Sequence, residues 1–261
     1  MSALRAAALA LLLLAPAGCA THDIVVASPA SVARHESVLV LPGLGFAHEN
    51  KKDMRAFATK LAAEGYDVYV PDYIRRKGLD ASVGSLGEFI RRKRLDRAPK
   101  LHVFAYIMGG VTFDLYLEKN ALPNLGSVLY DRSPLQERAP VIVTTHLPIV
   151  GRILFGQVIF DLAKARYPTL SRSDIPIGIL VENRATPFLR KHRTQALAMS
   201  PLSFDEEALA QPHTAICYVW LHHLEMYHRF DVLEPEVLSF LREGHFRESA
   251  RTAPFDRDPF E

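Results

Sequence analysis

At 261 residues the chain has the length of one ordinary α/β domain or of two small ones. Apolar residues make up 49% of it and aromatics 9%, which excludes a disordered chain and leaves material for a full core. A formal net charge of +2 excludes the concentrated basic face that nucleic acid requires, and two cysteines cannot build a disulfide framework.

The first 18 residues read as an export signal. Arg5 supplies the positive start, residues 6–15 are an unbroken Ala/Leu run, and Pro16-Ala17-Gly18-Cys19 follows. The run is too short for a membrane-spanning helix, which needs ~20 apolar residues. Small residues directly before a cysteine resemble the bacterial lipobox, with Pro16 where leucine is usual. That resemblance implies a lipidated Cys19, a tether over 19–36 and a place at the cell-envelope membrane. Cleavage after Ala17 or Ala20 as an ordinary secretory signal is the other reading, giving a secreted protein. Cys217 lies inside the apolar run 215–220 and reads as a buried small hydrophobe.

Along the rest of the chain, apolar runs alternate with amphipathic segments. Residues 38–41 form a continuous apolar strand of the type buried on both faces of a parallel sheet. Asn50 is placed to cap a helix with the stripe Met54, Phe57, Ala58 and Leu61, closed by Gly65. A strand over 67–70 follows. Ser85 and Glu88 read as a capping box opening a helix that runs to about Arg97. Then come a strand over 101–106, a helix over 109–119 and a strand over 127–130. Further strands span 176–181 and 215–221, and a last helix starts at Pro235 and ends at Gly244. Such alternation predicts an α/β protein with a mostly parallel central sheet flanked by helices, over 37–246, and a tail over 247–261. Residues 140–167, apolar and β-branched, read as one or two helices above the sheet: a lid, or ordinary buried helix.

Three segments carry a family resemblance. Leu41-Pro42-Gly43-Leu44-Gly45 is similar to a His-Gly-x-Gly oxyanion loop with proline for histidine. Ala105-Tyr106-Ile107-Met108-Gly109-Gly110 is similar to the nucleophile elbow Gly-x-Ser-x-Gly-Gly. His223-Leu224-Glu225-Met226-Tyr227 stands just after the last strand. Together they resemble the α/β-hydrolase superfamily, on its bacterial lipase and esterase side. The resemblance implies His223 as the base position, Glu182 or Asp131 as the acid, Ile107 at the nucleophile position, and Gly43, Leu44 and Met108 around an oxyanion or ligand pocket.

The departure is chemical. Acyl transfer through a covalent intermediate needs an oxygen or sulfur nucleophile, and isoleucine has neither. The elbow residue of the family also has positive φ, which a β-branched side chain resists. Ile107 therefore predicts either a strained turn, at about 1–3 kcal/mol, or a relaxed one. Ser133 is no substitute: Ser133-Pro134 reads as a helix cap followed by proline at the first turn. Tyr106, a phenol, is a poor nucleophile.

Other signals are weaker. His222, His223 and His228 lack the His-Glu-x-x-His spacing, so no metal site is expected. No phosphate loop is present, and no cofactor is expected. Arg91-Arg92-Lys93-Arg94 reads as a solvated helix face, with contact to anionic lipid as the other reading. The expectation is an envelope lipoprotein that has lost serine hydrolase activity and binds an acyl- or ester-containing small molecule. The alternative is an active carboxylic-ester or lipid hydrolase that uses His223 with a non-standard nucleophile.

Overall fold

The computed structural model describes residues 23–29, 34–44, 50–165, 170 and 172–261. The segment expected to be an export signal and Cys19 lie outside the described residues. Within them no helix is long and apolar enough to cross a membrane.

The sheet is built from β1 (Asp23–Ala27), β2 (Glu36–Leu41), β3 (Asp67–Pro71), β4 (Lys100–Ala105), β5 (Leu125–Arg132), β6 (Ile177–Glu182) and β7 (Ala215–Val219). Its order is β1-β3-β2-β4-β5-β6-β7. Strand β1 pairs antiparallel with β3, and every other pairing is parallel. Within the span 19–36 expected as a tether, Asp23–Ala27 forms a strand that completes one edge of the sheet. At the other edge the expected tail packs. Tyr218 N–H in β7 donates to Arg251 O, and Ala185 N–H donates to Pro259 O.

Alternating residues of β2 point to two cores. Val38 and Val40 join Phe57 and Leu61 from α1 (Asn50–Ala63) and Leu233, Val237 and Phe240 from α11 (Phe230–Glu243). Leu39 and Leu41 join Leu86, Phe89 and Ile90 from α2 (Leu79–Arg92) and Phe113 from α3 (Ile107–Leu117). Burial on both faces is why β2 reads as a continuous apolar run.

Two helix boundaries differ from expectation. Ser85 and Glu88 sit inside α2, whose N-terminus is at Leu79. Asp161, 82 residues further on, accepts Leu79 N–H at 2.9 Å and replaces the local capping box. The helix ends at Arg92, with Leu95–Arg97 a separate 3₁₀ turn, and Arg91 and Arg92 are solvent-exposed. Helix α11 starts at Phe230, so Pro235 lies inside it rather than in its first turn; Gly244 closes it as expected.

Residues 139–162 fold as three short helices between β5 and β6: α4 (Ala139–His146), α5 (Pro148–Phe155) and α6 (Val158–Leu162). They form a cap over the carboxyl ends of the strands. Arg76, after β3, donates to Ile153 O at 2.6 Å and Leu154 O at 2.7 Å, capping the carbonyl end of α5 and fastening it to the sheet domain. One face of α5 stays in solvent: Ile149 is 74% and Ile153 65% exposed.

Candidate functional site

The carboxyl ends of the parallel strands bring the separate motifs to one place, where open α/β sheets put their ligands. Pro42-Gly43-Leu44 leaves β2, Tyr106-Ile107 leaves β4, Asp131 is near the end of β5, Glu182 ends β6, and His223 follows β7. The remaining helices on this side are α7 (Pro187–Lys191), α8 (Arg193–Met199), α9 (Glu206–Leu209) and α10 (Glu225–His228).

At the elbow, Tyr106 takes the extended N-cap conformation (φ −70°, ψ 155°) and Ile107 is the first residue of α3. Among the described residues the non-glycine positions with positive φ are His35, Arg94 and Ala210. Ile107 is thus unstrained: the turn has relaxed to a geometry a β-branched side chain accepts. The close approach behind it survives. A Cβ on Gly109 would lie 2.4 Å from Leu41 O, the same carbonyl that accepts Tyr106 N–H at 3.0 Å.

The loop after β2 is held by two tyrosines that the sequence reading did not single out for it. Gly43 N–H donates to Tyr227 Oη at 2.9 Å, and Tyr73 Oη donates to Pro42 O at 2.5 Å. Tyr227 stacks on Tyr106 with centroids 4.4 Å apart. Gly43 is needed because a Cβ there would stand 2.8 Å from Tyr227 Oη and 3.1 Å from His223 Nε2.

His223 meets both acid candidates. Its Nδ1 donates to Glu182 Oε1 at 2.8 Å and lies 3.7 Å from Asp131 Oδ2. All three side chains are buried, and neither Asp131 oxygen has a hydrogen-bond partner among the described residues. Burial, then the adjacent Asp131 charge, pushes the Glu182 carboxyl well above the usual carboxylate range. Burial alone would push His223 down, yet the facing Glu182 and Asp131 carboxyls outweigh it and hold the imidazole up at about 10. The arrangement compatible with burial is an imidazolium, one carboxylate and one proton-bearing acid, with no net charge.

Asp131, Glu182 and His223 also place one potential metal-ligating atom each within 4.8 Å of one another, a juxtaposition the histidine spacing did not indicate. Within the set, His223 Nδ1 and Glu182 Oε1 are joined by a hydrogen bond. His222 and His228 do not join it: His222 sits beside Glu225, and His228 Nδ1 bonds Asp53 at 2.5 Å. Arg184, a local partner for Glu182 on spacing alone, pairs instead with Glu225.

Above this cluster the cap partly covers an open cavity of about 500 Å³. Ile107, Met108, Leu44 and His223 form its floor, and side chains such as Val143, Leu154 and Ile159 form its roof. Its polar lining besides His223 is Gln136 and Thr186, which bond each other at 3.1 Å. The Thr186 hydroxyl also accepts Leu189 N–H as the cap of α7. Ser133 is buried away from the lining, and its Oγ accepts Gln136 N–H at 3.1 Å, the capping role read from Ser133-Pro134. The lining thus offers one hydroxyl, already bonded, and no thiol.

No protein-family model and no curated protein sequence matches this chain. Solved structures do. A Bacillus megaterium epoxide hydrolase superposes with a TM-score of 0.56 at 9% identity, over 85% of this chain and 97% of that one. A lipase-esterase related protein from Clostridium acetobutylicum gives 0.53 at 12% identity, over 85% and 99%. A bromoperoxidase from Bacillus anthracis gives 0.52 at 13%, over 85% and 95%. The fold is that of the α/β-hydrolases. At such identities the likeness carries the architecture and no activity. On this fold the loop after β2, the strand–helix turn that carries Ile107 and the His223–Glu182 pair all stand at the carboxyl ends of the strands.

Proposed function

We propose that this α/β-hydrolase-fold chain has lost serine hydrolase activity and serves as a binding module for an acyl- or ester-containing small molecule. The observation that carries the reading is Ile107: an aliphatic side chain stands at the strand–helix turn, in the floor of the cavity that His223 also lines. With no hydroxyl or thiol at position 107, the covalent step has no nucleophile there. A His223 held protonated is likewise a poor general base near neutral pH. The retained loop geometry and the apolar cavity, which falls within the ~300–1,000 Å³ of ordinary ligand sites, support binding.

We further propose that the chain works at the cell envelope, tethered through a lipidated Cys19. The signal-like segment supports this, and so does the exposed apolar face of α5, which suits work beside lipid better than work in free solvent. The test of lost activity is trapping with a serine-directed fluorophosphonate, run beside an equilibrium titration with a fluorescent fatty acyl probe. Saturable probe binding with no phosphonate adduct is expected. A stoichiometric adduct would reveal an activated serine and favour the reading as an ester hydrolase.

A further inference from the structure

The cavity floor has a polarity that selects a head group. His223 is only 5% exposed, and its Nδ1 side is taken by Glu182 and Asp131. Nε2, on the opposite side of the ring, is left for the cavity that the residue lines. The negative groups therefore stand behind the ring, and the positive end of the pair faces the cavity. Helix α3 starts on the same floor. The amides of Ile107 and Met108, both lining residues, belong to its first turn and have no intrahelical acceptor. Eleven residues of helix add a partial positive charge at that end. Nothing else in the lining is charged, and the remaining polar pair, Gln136 and Thr186, is internally bonded.

From this geometry we infer that the ligand is a free, unesterified long-chain carboxylic acid: its carboxylate lies against His223 Nε2 and the start of α3, and its chain fills the apolar cavity beneath the cap. The inference rests on the reading of the chain as an acyl binder and goes further by fixing the head group. A protonated Nε2 donates and cannot accept. An alcohol oxygen would accept from the cation only as a dipole, whereas a carboxylate makes the bond with both partners ionised and adds the attraction of opposite charges. An ester carbonyl can accept, but it lacks the charge, and its alcohol portion needs room on the polar floor. The two acids behind His223 have a role in this account although no nucleophile remains to be activated: they keep the buried imidazole a cation.

The test is a competition titration on the natural chain with dodecanoate, 1-dodecanol and methyl dodecanoate, displacing a fluorescent acyl probe at pH 7.5. Dodecanoate is expected to bind at least about tenfold more tightly than either neutral analogue. In His223→Gln that preference is expected to collapse to within about twofold. A second readout needs no variant. The carboxyl resonance of bound [1-¹³C]dodecanoate is expected to stay at its ionised position from pH 8 to pH 5. Equal affinities of acid and alcohol in the natural chain, or a bound carboxyl that protonates across that range, would overturn the inference and leave acyl binding standing. Absence of saturable binding by all three would overturn both.

Discussion

Gly109→Ala and Gly84→Ala are the same chemical change in two helices, and the structure gives them opposite signs. In a helix interior, replacing glycine by alanine gains about 1 kcal/mol from backbone entropy alone. Gly84 lies exposed in the middle of α2 and a Cβ there meets nothing within 4 Å, so Gly84→Ala should stabilise by close to that amount. At Gly109 the new carbon would stand 2.4 Å from Leu41 O and 2.8 Å from Leu41 Cβ. Leu41 is fully buried in β2, and its carbonyl is already bonded to Tyr106 N–H, so backbone rather than a flexible side chain would have to move. Overpacking of this kind costs about 1–3 kcal/mol, and an immovable neighbour places it at the upper end. Net of the helix gain, Gly109→Ala should destabilise by roughly 2 kcal/mol. Urea unfolding followed by circular dichroism would read both changes as midpoint shifts at constant slope. A Gly109→Ala midpoint as high as that of Gly84→Ala would refute the close strand–helix approach on which the elbow assignment depends.

Three further outcomes follow from the site. The His223 imidazole should remain protonated through neutral pH and titrate near 10, seen by ¹⁵N NMR; Glu182→Gln should lower that value. Because this folded pKa is raised above the unfolded one, its contribution to stability is complete below about pH 6.5 and is lost as pH rises through 10. Titration of His223 near 6.5 in the native chain would remove the charge argument. Tyr227→Phe leaves the buried Gly43 N–H without its hydroxyl acceptor, so it should cost about 1–3 kcal/mol in chemical unfolding and weaken acyl-probe binding in parallel. Cys217 should resist thiol reagents until the chain unfolds, since it is buried and burial pushes its thiol up to about 12; rapid native labelling would contradict that placement.

Much of the architecture was legible because its signals are local. The run 38–41 announces a strand buried on both faces, 101–106 announces a strand, and the stripe Met54, Phe57, Ala58 and Leu61 announces a helix face that is indeed buried. Boundaries set by distant groups were not legible. The start of α2 depends on Asp161 from the cap, and β1 is stabilised by pairing with β3, so neither leaves a complete signal in its own segment. At the site, the family resemblance implied Glu182 or Asp131 as partner of His223, framed as a choice. Adjacent parallel strands β5 and β6 end side by side, and that register brings both to the imidazole. Tyr73 and Tyr227 were harder still: each reaches the loop after β2 from a remote segment, and an aromatic residue in an apolar context reads as core. Ile107 raised the question of strain or relaxation, and only the backbone could answer it with a helical first residue.

The most direct test of the central claim is ester hydrolysis by the natural chain, lacking its first 19 residues, measured beside Ile107→Ser, each with and without His223→Ala. The account predicts no turnover of short- or medium-chain esters by the natural chain beyond that of its His223→Ala variant. It predicts a gain only in Ile107→Ser, dependent on His223 and rising about tenfold per pH unit toward 10, as the imidazole loses the proton it must shed to act as a base. Hydrolysis by the natural chain that disappears in His223→Ala would contradict the account and require another nucleophile in this site.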